Sequence, residues 1–319
     1  MRRRSPRLPT FLFALLASIG LPTTQASNLQ AASADASATP EPITPIPQPP
    51  AADPRKVMLG KLLFADPRLS HDDRTSCVSC HDVSTNGADD LRRSAMRDGT
   101  GEPLNTLTVF NAALNYRLGW TGHIRTLEDQ ALFSIESPLG LASSVDEVLG
   151  KLNADPATVR RFEEAYGHGP DRTALLDAIA TYERSLLTPG SRFDRWLQGD
   201  REALTEAEQS GYESFKSLGC ISCHQGVNVG GNLLQRHGIF HPLASPLPEI
   251  LRVPSLRNVA TTAPYFHDGS APTLNEAVRE MAAAQLDVTL SDQQVEALVA
   301  FLNTLTGMLA GVPVSAKTP

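Results

Sequence analysis

The sequence lacks a positive charge balance, a long apolar run beyond residue 21 and a clear strand pattern. Its 28 lysines and arginines face 35 aspartates and glutamates, which gives a formal net charge of −7. This acidity argues against a nucleic-acid partner, and it fits either plain solubility or the docking of a basic or dipolar redox protein. No segment after residue 21 is apolar enough to cross a membrane. The scarcity of alternating apolar residues favours a helical fold.

The first 26 residues have the pattern of a secretory signal peptide. Arginines at positions 2, 3, 4 and 7 precede an apolar stretch at residues 11–21, and small residues near Ala26 offer a cleavage site. The apolar stretch is too short to span a bilayer, although an uncleaved membrane anchor is the alternative. The pattern predicts export to the periplasm.

Changes in composition divide the rest of the chain. Prolines and alanines without periodicity predict a disordered tether at residues 27–52. A Pro-Gly pair at 189–190 ends a helical pattern, and residues 191–200 form the expected boundary between two domains. The predicted units are the tether, an N-terminal domain at 53–195, a C-terminal domain at 196–310 and a tail at 311–319.

Apolar residues three and four positions apart predict several helices. A helix is expected to begin at Asp53-Pro54, and a capping box at Thr205 and Glu208 is expected to open another. The remaining predicted helices span residues 145–166, 173–187 and 291–307.

The pattern Cys-x-x-Cys-His occurs twice and uses all four cysteines. The two copies are Cys77, Cys80 and His81, and Cys220, Cys223 and His224. This pattern is the attachment signal of c-type haem, in which the thiols bond to the porphyrin and the histidine binds iron. A redox dithiol, a four-cysteine zinc site and two disulfides are alternatives, but none explains a histidine after both pairs. The repeated motif predicts two covalently attached haems.

Longer segments resemble the bacterial di-haem cytochrome c peroxidase and MauG family. The similar strings include LGKLLFADPRLS, NTLTVFNAALN, WTGHIRTLEDQA and RVPSLRNVATTAPYFHDGS, and the resemblance covers about residues 55–308 in the family's order. It implies an all-α fold of two cytochrome c-like domains with one haem each. It also implies that hydrogen peroxide is reduced at the N-terminal haem with electrons relayed from the C-terminal haem. A small cytochrome c or a cupredoxin is the implied electron donor.

Two other functions remain open at this point. A MauG-like enzyme would use peroxide to oxidise a side chain, such as tryptophan, on a partner protein. A non-catalytic di-haem electron carrier would need both irons to be six-coordinate and inert to peroxide.

The resemblance assigns residues around the second haem. Met281 matches a methionine that binds the iron opposite His224, and a thioether there raises the reduction potential. His237 and His241 are rival ligands, and an ordinary core methionine is the alternative. Trp120 matches a tryptophan that lies between the two porphyrins, with a buried aromatic as the alternative.

The sequence departs from the family around the first haem. Many relatives carry a capping histidine where this chain has Arg97, with Met96 beside it, so we expect the first iron to have an open coordination site. Gln130 matches a catalytic glutamine of the family. The family's catalytic glutamate falls at Gly140, and Glu136 is the nearest replacement for this acid–base role.

The family also holds a calcium ion between its domains. Asn105, Thr262 and Pro264 match the residues that supply its ligands, mostly through backbone carbonyls. The resemblance therefore implies one calcium ion. His267 is expected to contact a haem propionate or to have a structural role.

Overall fold

The computed structural model describes residues 41–93, 104–246 and 248–317. The predicted signal peptide, residues 27–40 of the predicted tether, and Arg97 and Met96 lie outside these residues. Most regular structure in the described chain is helical. The helices are α1 (Pro54–Phe64), α2 (Leu127–Glu136), α3 (Val145–Asn153), α4 (Pro156–Tyr166), α5 (Arg172–Ser185), α6 (Arg192–Leu197), α7 (Glu206–Ser217), α8 (Leu274–Leu286) and α9 (Asp292–Asn303).

The strands are short and form two separate antiparallel pairs. The first pair joins β1 (Leu234–Arg236) to β2 (Ile250–Arg252), and the second joins β3 (Met308–Leu309) to β4 (Val312–Pro313). Among the described residues, none of the helices is long and apolar enough to cross a membrane.

Local capping explains most helix boundaries, and it corrects one prediction. The side chain of Asp53 caps α1, and Thr205 and Glu208 form the predicted capping box of α7. The single helix predicted at 145–166 is wrong, because Asp155 accepts a hydrogen bond from the backbone of Ala157 and Pro156 begins a new helix. The predicted helix at 291–307 ends earlier, at Asn303.

Each half of the molecule is built around one close helix crossing. A Cβ atom at Gly60 in α1 would lie 1.9 Å from the carbonyl oxygen of Ala178 in α5. A Cβ atom at Gly211 in α7 would lie 2.0 Å from the carbonyl oxygen of Ala297 in α9. Only glycine allows the two backbones to approach so closely. One apolar core surrounds α1 and α5, and another surrounds α7 and α9.

The segment before α2 and the segment before α8 have the same local structure. Asn111 and Asn258 both adopt left-handed conformations, with φ of 59° and 60°. Each is followed by a short bridge, and then by a helix capped by Thr126 or Thr273. Residues 104–134 and 251–281 can therefore be compared position by position without gaps.

Two buried asparagines connect the halves reciprocally. The amide of Asn86 in the first half donates to the carbonyl of Thr261 at 2.6 Å. The amide of Asn228 in the second half donates to the carbonyl of Asn111 at 3.2 Å and to the side-chain oxygen of Asn115 at 2.6 Å. These contacts fix the position of one half against the other.

The structure differs from the expected tether at residues 41–46. Ile43 and Ile46 are 1% and 3% exposed, and Ile43 belongs to the apolar core around α7 and α9. The guanidinium of Arg257 donates to the carbonyl of Thr44 at 2.8 Å, and Asp194 accepts from the backbone of Ile46 at 3.3 Å. The prolines keep this segment extended, and the two isoleucines between them supply the apolar contacts that hold it in place.

Candidate haem sites

Each Cys-x-x-Cys-His motif lines its own cavity. The first cavity has a volume of about 360 Å³ and lies between α1, α2 and α5. The second has a volume of about 270 Å³ and lies between α7, α8 and α9. The motif residues on their walls are Cys77, Cys80 and His81 in the first cavity, and Cys220, Cys223 and His224 in the second.

The cysteine geometry does not support the zinc, disulfide or dithiol alternatives. The two pairs lie in separate cavities, so they do not form a four-cysteine site. Cys77 and Cys220 carry thiols rather than disulfides. Burial raises the pKa of Cys77 to about 12 and that of Cys220 to about 11. Burial therefore disfavours the thiolate form on which a redox-active dithiol depends.

In both motif histidines, one ring nitrogen carries a proton and the other can bind a metal. Nδ1 of His81 lies 3.2 Å from the carbonyl oxygen of Gly87, and Nδ1 of His224 lies 3.4 Å from that of Val229. A carbonyl only accepts, so each Nδ1 carries the proton. Burial lowers the pKa of both rings, that of His224 to about 4. The neutral imidazoles therefore leave Nε2 available for iron.

The opposite walls of the two cavities carry different side chains at the same position. Met281 in α8 lines the second cavity, and its counterpart in α2 is Ser134, which lines the first. Gln130 also lines the first cavity, and its amide donates to the hydroxyl of Ser134 at 3.3 Å. The second cavity thus has a thioether where the first has a hydroxyl.

His237 and His241, the alternative ligands for the second iron, have other polar partners. Both ring nitrogens of His237 lie near backbone carbonyls, Nδ1 at 3.0 Å from Leu243 and Nε2 at 2.8 Å from Pro248. His241 is exposed, and its Nε2 lies 2.7 Å from a carboxylate oxygen of Asp287. His237 lines the second cavity with both ring nitrogens near backbone carbonyls, whereas His241 lies outside the lining.

Glu136 does not occupy the expected acid–base position. It lies on the exposed face of α2 and outside the lining of the first cavity, because the helix turns Ser134 inward instead. Gly140 lines the cavity, but a Cβ atom there would lie 2.5 Å from the carbonyl oxygen of Ser134. A glutamate at position 140 would therefore require the backbone to move.

Three titratable side chains that the motifs did not indicate line the first cavity. His123 lies near its mouth, where its ring packs edge-on against Phe133 at 5.3 Å. Glu183 in α5 is 7% exposed, and its Oε2 has no hydrogen-bond partner among the described residues. Burial raises the pKa of Glu183 to about 8. Glu183 is an acidic residue on the buried face of a helix, and this position could have been recognised in the sequence as a sign of a functional residue.

Arg252 is the third of these residues, and it lines both cavities. It is 3% exposed, and its Nε donates to the carbonyl of Gly119 at 2.9 Å. Burial lowers its pKa to about 10, and no ion pair with a described carboxylate compensates its charge. Nη1 is buried without a partner in the described chain. Arg252 is the first residue of the family-like string RVPSLRNVATTAPYFHDGS, but that string contains no haem motif that would have marked this arginine as a cavity residue.

The buried Nη1 of Arg252, which lacks a partner in the described chain, bears on whether a haem fits these cavities. A haem carries two propionate groups, and a buried cation without a carboxylate partner is costly unless an anion approaches it. Arg252 supplies such a cation at both cavities. Together with the paired thiols and the neutral histidines, it makes the donor set of each cavity fit a haem.

Trp120 contacts both cavities. Its side chain is part of the lining of each, and its Nε1 donates to the carbonyl oxygen of Asn105 at 2.7 Å. Its ring is edge-on to that of His267, with centroids 6.2 Å apart. His267 is buried, and its Nε2 lies 2.9 Å from the carbonyl oxygen of Ser245.

The expected calcium ligands lie near this tryptophan. The side-chain amide of Asn105 donates to the carbonyl of Leu91 at 2.7 Å. Thr262 and Pro264 line the second cavity. Asn105 also lines both cavities, so the three positions belong to one region between the halves.

Comparison with known proteins gives consistent matches. The profile described as Di-haem cytochrome c peroxidase matches residues 54–202, and the profile described as Cytochrome c matches residues 208–306. The cytochrome c551 peroxidase of Nitrosomonas europaea is 40% identical over 78% of this chain and 79% of its own length. The cytochrome c peroxidase Ccp of Escherichia coli is 40% identical over 80% of this chain, which spans 59% of that relative.

MauG proteins are more distant relatives. The methylamine utilization protein MauG of Methylorubrum extorquens is 32% identical over 81% of this chain and 80% of its own length. A crystal structure of a MauG-like protein associated with microbial copper homeostasis has a TM-score of 0.70 and 27% identity, covering 82% of this chain and 93% of that one. The predicted all-α fold of two cytochrome c-like domains is confirmed. The chain belongs to the di-haem cytochrome c peroxidase and MauG family.

Proposed function

We propose that the protein is a periplasmic di-haem peroxidase that reduces hydrogen peroxide at the first cavity with electrons received through the second. The observation that carries this proposal is that the first cavity has Ser134 at the position where the second has Met281. A thioether favours electron storage, whereas a wall without a strong ligand leaves room for a small oxidant. The curated peroxidase relatives at 40% identity support the same conclusion.

Different residues of the chain would bind the haems, position the peroxide and assist electron transfer. When bound, the haems would supply iron for peroxide reduction and for electron storage. His81 and His224 would hold the irons through Nε2, and Met281 would be a further ligand of the second iron. Trp120 would lie between the haems and shorten the electron path. Gln130, whose Oε1 is buried without a partner in the described chain, would position peroxide by hydrogen bonding.

Covalent attachment, export and calcium binding complete the proposal. Two thioether bonds per haem are supported by the position of both cysteine pairs on the cavity walls. Denaturing electrophoresis followed by haem staining would detect haem that stays with the polypeptide. Export is supported by the signal-peptide pattern of the first 26 residues, and calcium by Asn105, Thr262 and Pro264.

Turnover with a reduced small cytochrome c or cupredoxin tests the proposed activity. We expect peroxide-dependent oxidation of the donor, and we expect Ser134→Met to abolish it by placing a thioether over the first iron. Ser217→Met, at an exposed position of α7, is the control for the substitution itself. Equal turnover in wild type and Ser134→Met would contradict the assignment of the peroxide site.

A MauG-like oxidation of a partner protein is the second candidate. The position of Glu136 outside the cavity favours it, since the described cavity lining lacks a carboxylate on the α2 wall. One equivalent of hydrogen peroxide added to the fully oxidised protein distinguishes the two. A rapid change in the absorption spectrum, with a new near-infrared band from charge shared between two oxidised haems, would support the MauG-like reaction. A response only after the second haem has been reduced would support the peroxidase.

A further inference from the structure

Helices α5 and α9 occupy equivalent places in the two halves. Next to the glycine crossing of each half stand Tyr182 and Phe301, whose Cβ atoms face the crossing glycine at equivalent positions. One residue later, α5 carries Glu183 and α9 carries Leu302. Both of these side chains line the cavity of their own half. The first cavity therefore has a carboxyl group where the second has a leucine.

The surroundings of Glu183 do not neutralise a negative charge. Arg184, next to it in α5, forms its ion pair with Glu128 of α2 instead. Cys77 lies close enough for its ionisation to be opposed by Glu183. The other charged or titratable groups that line the cavity are His81, Cys80, His123 and Arg252. The carboxyl is thus held in a low-dielectric position, and burial favours its neutral form.

We propose that Glu183 couples the oxidation state of the first iron to the uptake of one proton. On reduction, one electron from the second haem or from the electron donor enters the iron, and one proton from solvent binds the carboxylate of Glu183. On oxidation, the electron and the proton both leave. The proposal rests on a haem bound at His81, as in the proposed function, but it does not require turnover of peroxide.

The physical basis is the interaction of two charges at low dielectric. A carboxylate beside the haem stabilises the more positive, oxidised iron, whereas the protonated acid does not. The positive charge of the oxidised iron in turn lowers the pKa of Glu183, so that the proton is released on oxidation. Leu302 cannot respond in this way, so the second haem should lack the coupling.

The test is a spectroelectrochemical titration of each haem between pH 5 and pH 9. At a fixed applied potential, the ratio of oxidised to reduced first haem in the wild type should rise up to tenfold per pH unit, or 59 mV for a one-electron couple. This slope should disappear in Glu183→Gln and in Glu183→Leu, which reproduces the residue of the second cavity. Glu128→Gln, which removes the nearby paired carboxylate, should keep it.

An unchanged slope in both Glu183 variants would overturn the proposal. Infrared difference spectra of the reduced minus oxidised wild type give an independent readout that needs no variant to fold. We expect the C=O band of a protonated carboxyl to appear on reduction, and its absence would also overturn the proposal. Loss of the slope in a protein that does not turn over peroxide would retain the coupling and reject the peroxidase function.

Discussion

At the residue scale, single exchanges distinguish two similar cavities. Ser134 stands in place of Met281, and Glu183 stands in place of Leu302. The first exchange places a hydroxyl where the other cavity has a thioether, and the second adds a buried acid. Arg252 lies between the cavities and lines both of them. The chemical difference between the two sites thus depends on a few side chains in a repeated framework.

Replacing Arg252 by glutamine should lower the reduction potentials of the haems. A buried positive charge near a haem favours the reduced iron, and its removal favours the oxidised iron. A spectroelectrochemical titration measures the shift. Arg236→Gln, which removes an equal charge at an exposed position in β1, should leave the potentials nearly unchanged. Unchanged potentials in Arg252→Gln would contradict the placement of this charge at the haems.

Replacing Glu183 by glutamine should change the pH dependence of stability in the reduced protein. Because burial raises the pKa of Glu183 to about 8, the unfolded chain releases this proton at a lower pH than the folded protein. Folding of the wild type is therefore increasingly penalised as pH rises towards 8, by up to about 1.4 kcal/mol per pH unit. Glu183→Gln lacks this penalty.

Urea denaturation of the reduced protein at several pH values measures the difference. The free energy of unfolding of Glu183→Gln should rise relative to the wild type between about pH 5 and pH 8, and the difference should then level off. A difference that does not depend on pH in this interval would show that Glu183 does not hold a proton in the folded state.

At the element scale, the helices could be predicted from the sequence more readily than the close contacts between them. Capping residues such as Asp53 and Thr205 act locally, so they could be recognised in the sequence. The break at Asp155-Pro156 was also local, but the apolar spacing continued across it and concealed it. The close approach at Gly60 and Gly211 depends on a partner helix far away in the sequence, so the spacing of apolar residues gave no signal for it.

Replacing Gly211 by alanine should destabilise the C-terminal half. The new methyl group would lie 2.0 Å from a backbone carbonyl oxygen of α9, and forcing the helices apart should cost about 1–3 kcal/mol. The helical Gly150 in α3 is the matched control, because a Cβ atom there meets nothing within 4 Å. Gly150→Ala should instead stabilise by about 0.5–1 kcal/mol. Thermal or urea unfolding compares the two, and equal effects would contradict the crossing geometry.

At the scale of the whole molecule, two similar halves are joined so that one tryptophan contacts both cavities. The motifs indicated His81 and His224, and the family strings indicated Met281 and Trp120. All four line the cavities, and their roles at a haem stay predictions. The motifs and strings misplaced Glu136, because neither spacing nor resemblance fixes which face of α2 meets the cavity. They also gave residues 41–46 no structural role, since the two isoleucines there find their contacts only in the folded protein.

The binding of carbon monoxide to the fully reduced protein would show directly whether only the first iron has an open coordination site. We expect one carbon monoxide to bind for every two haems, because Met281 would hold the second iron while the first would lack such a ligand. Met281→Ala should bind two. Two molecules bound by the wild type would contradict the assignment of Met281, and none would contradict an open site at the first haem.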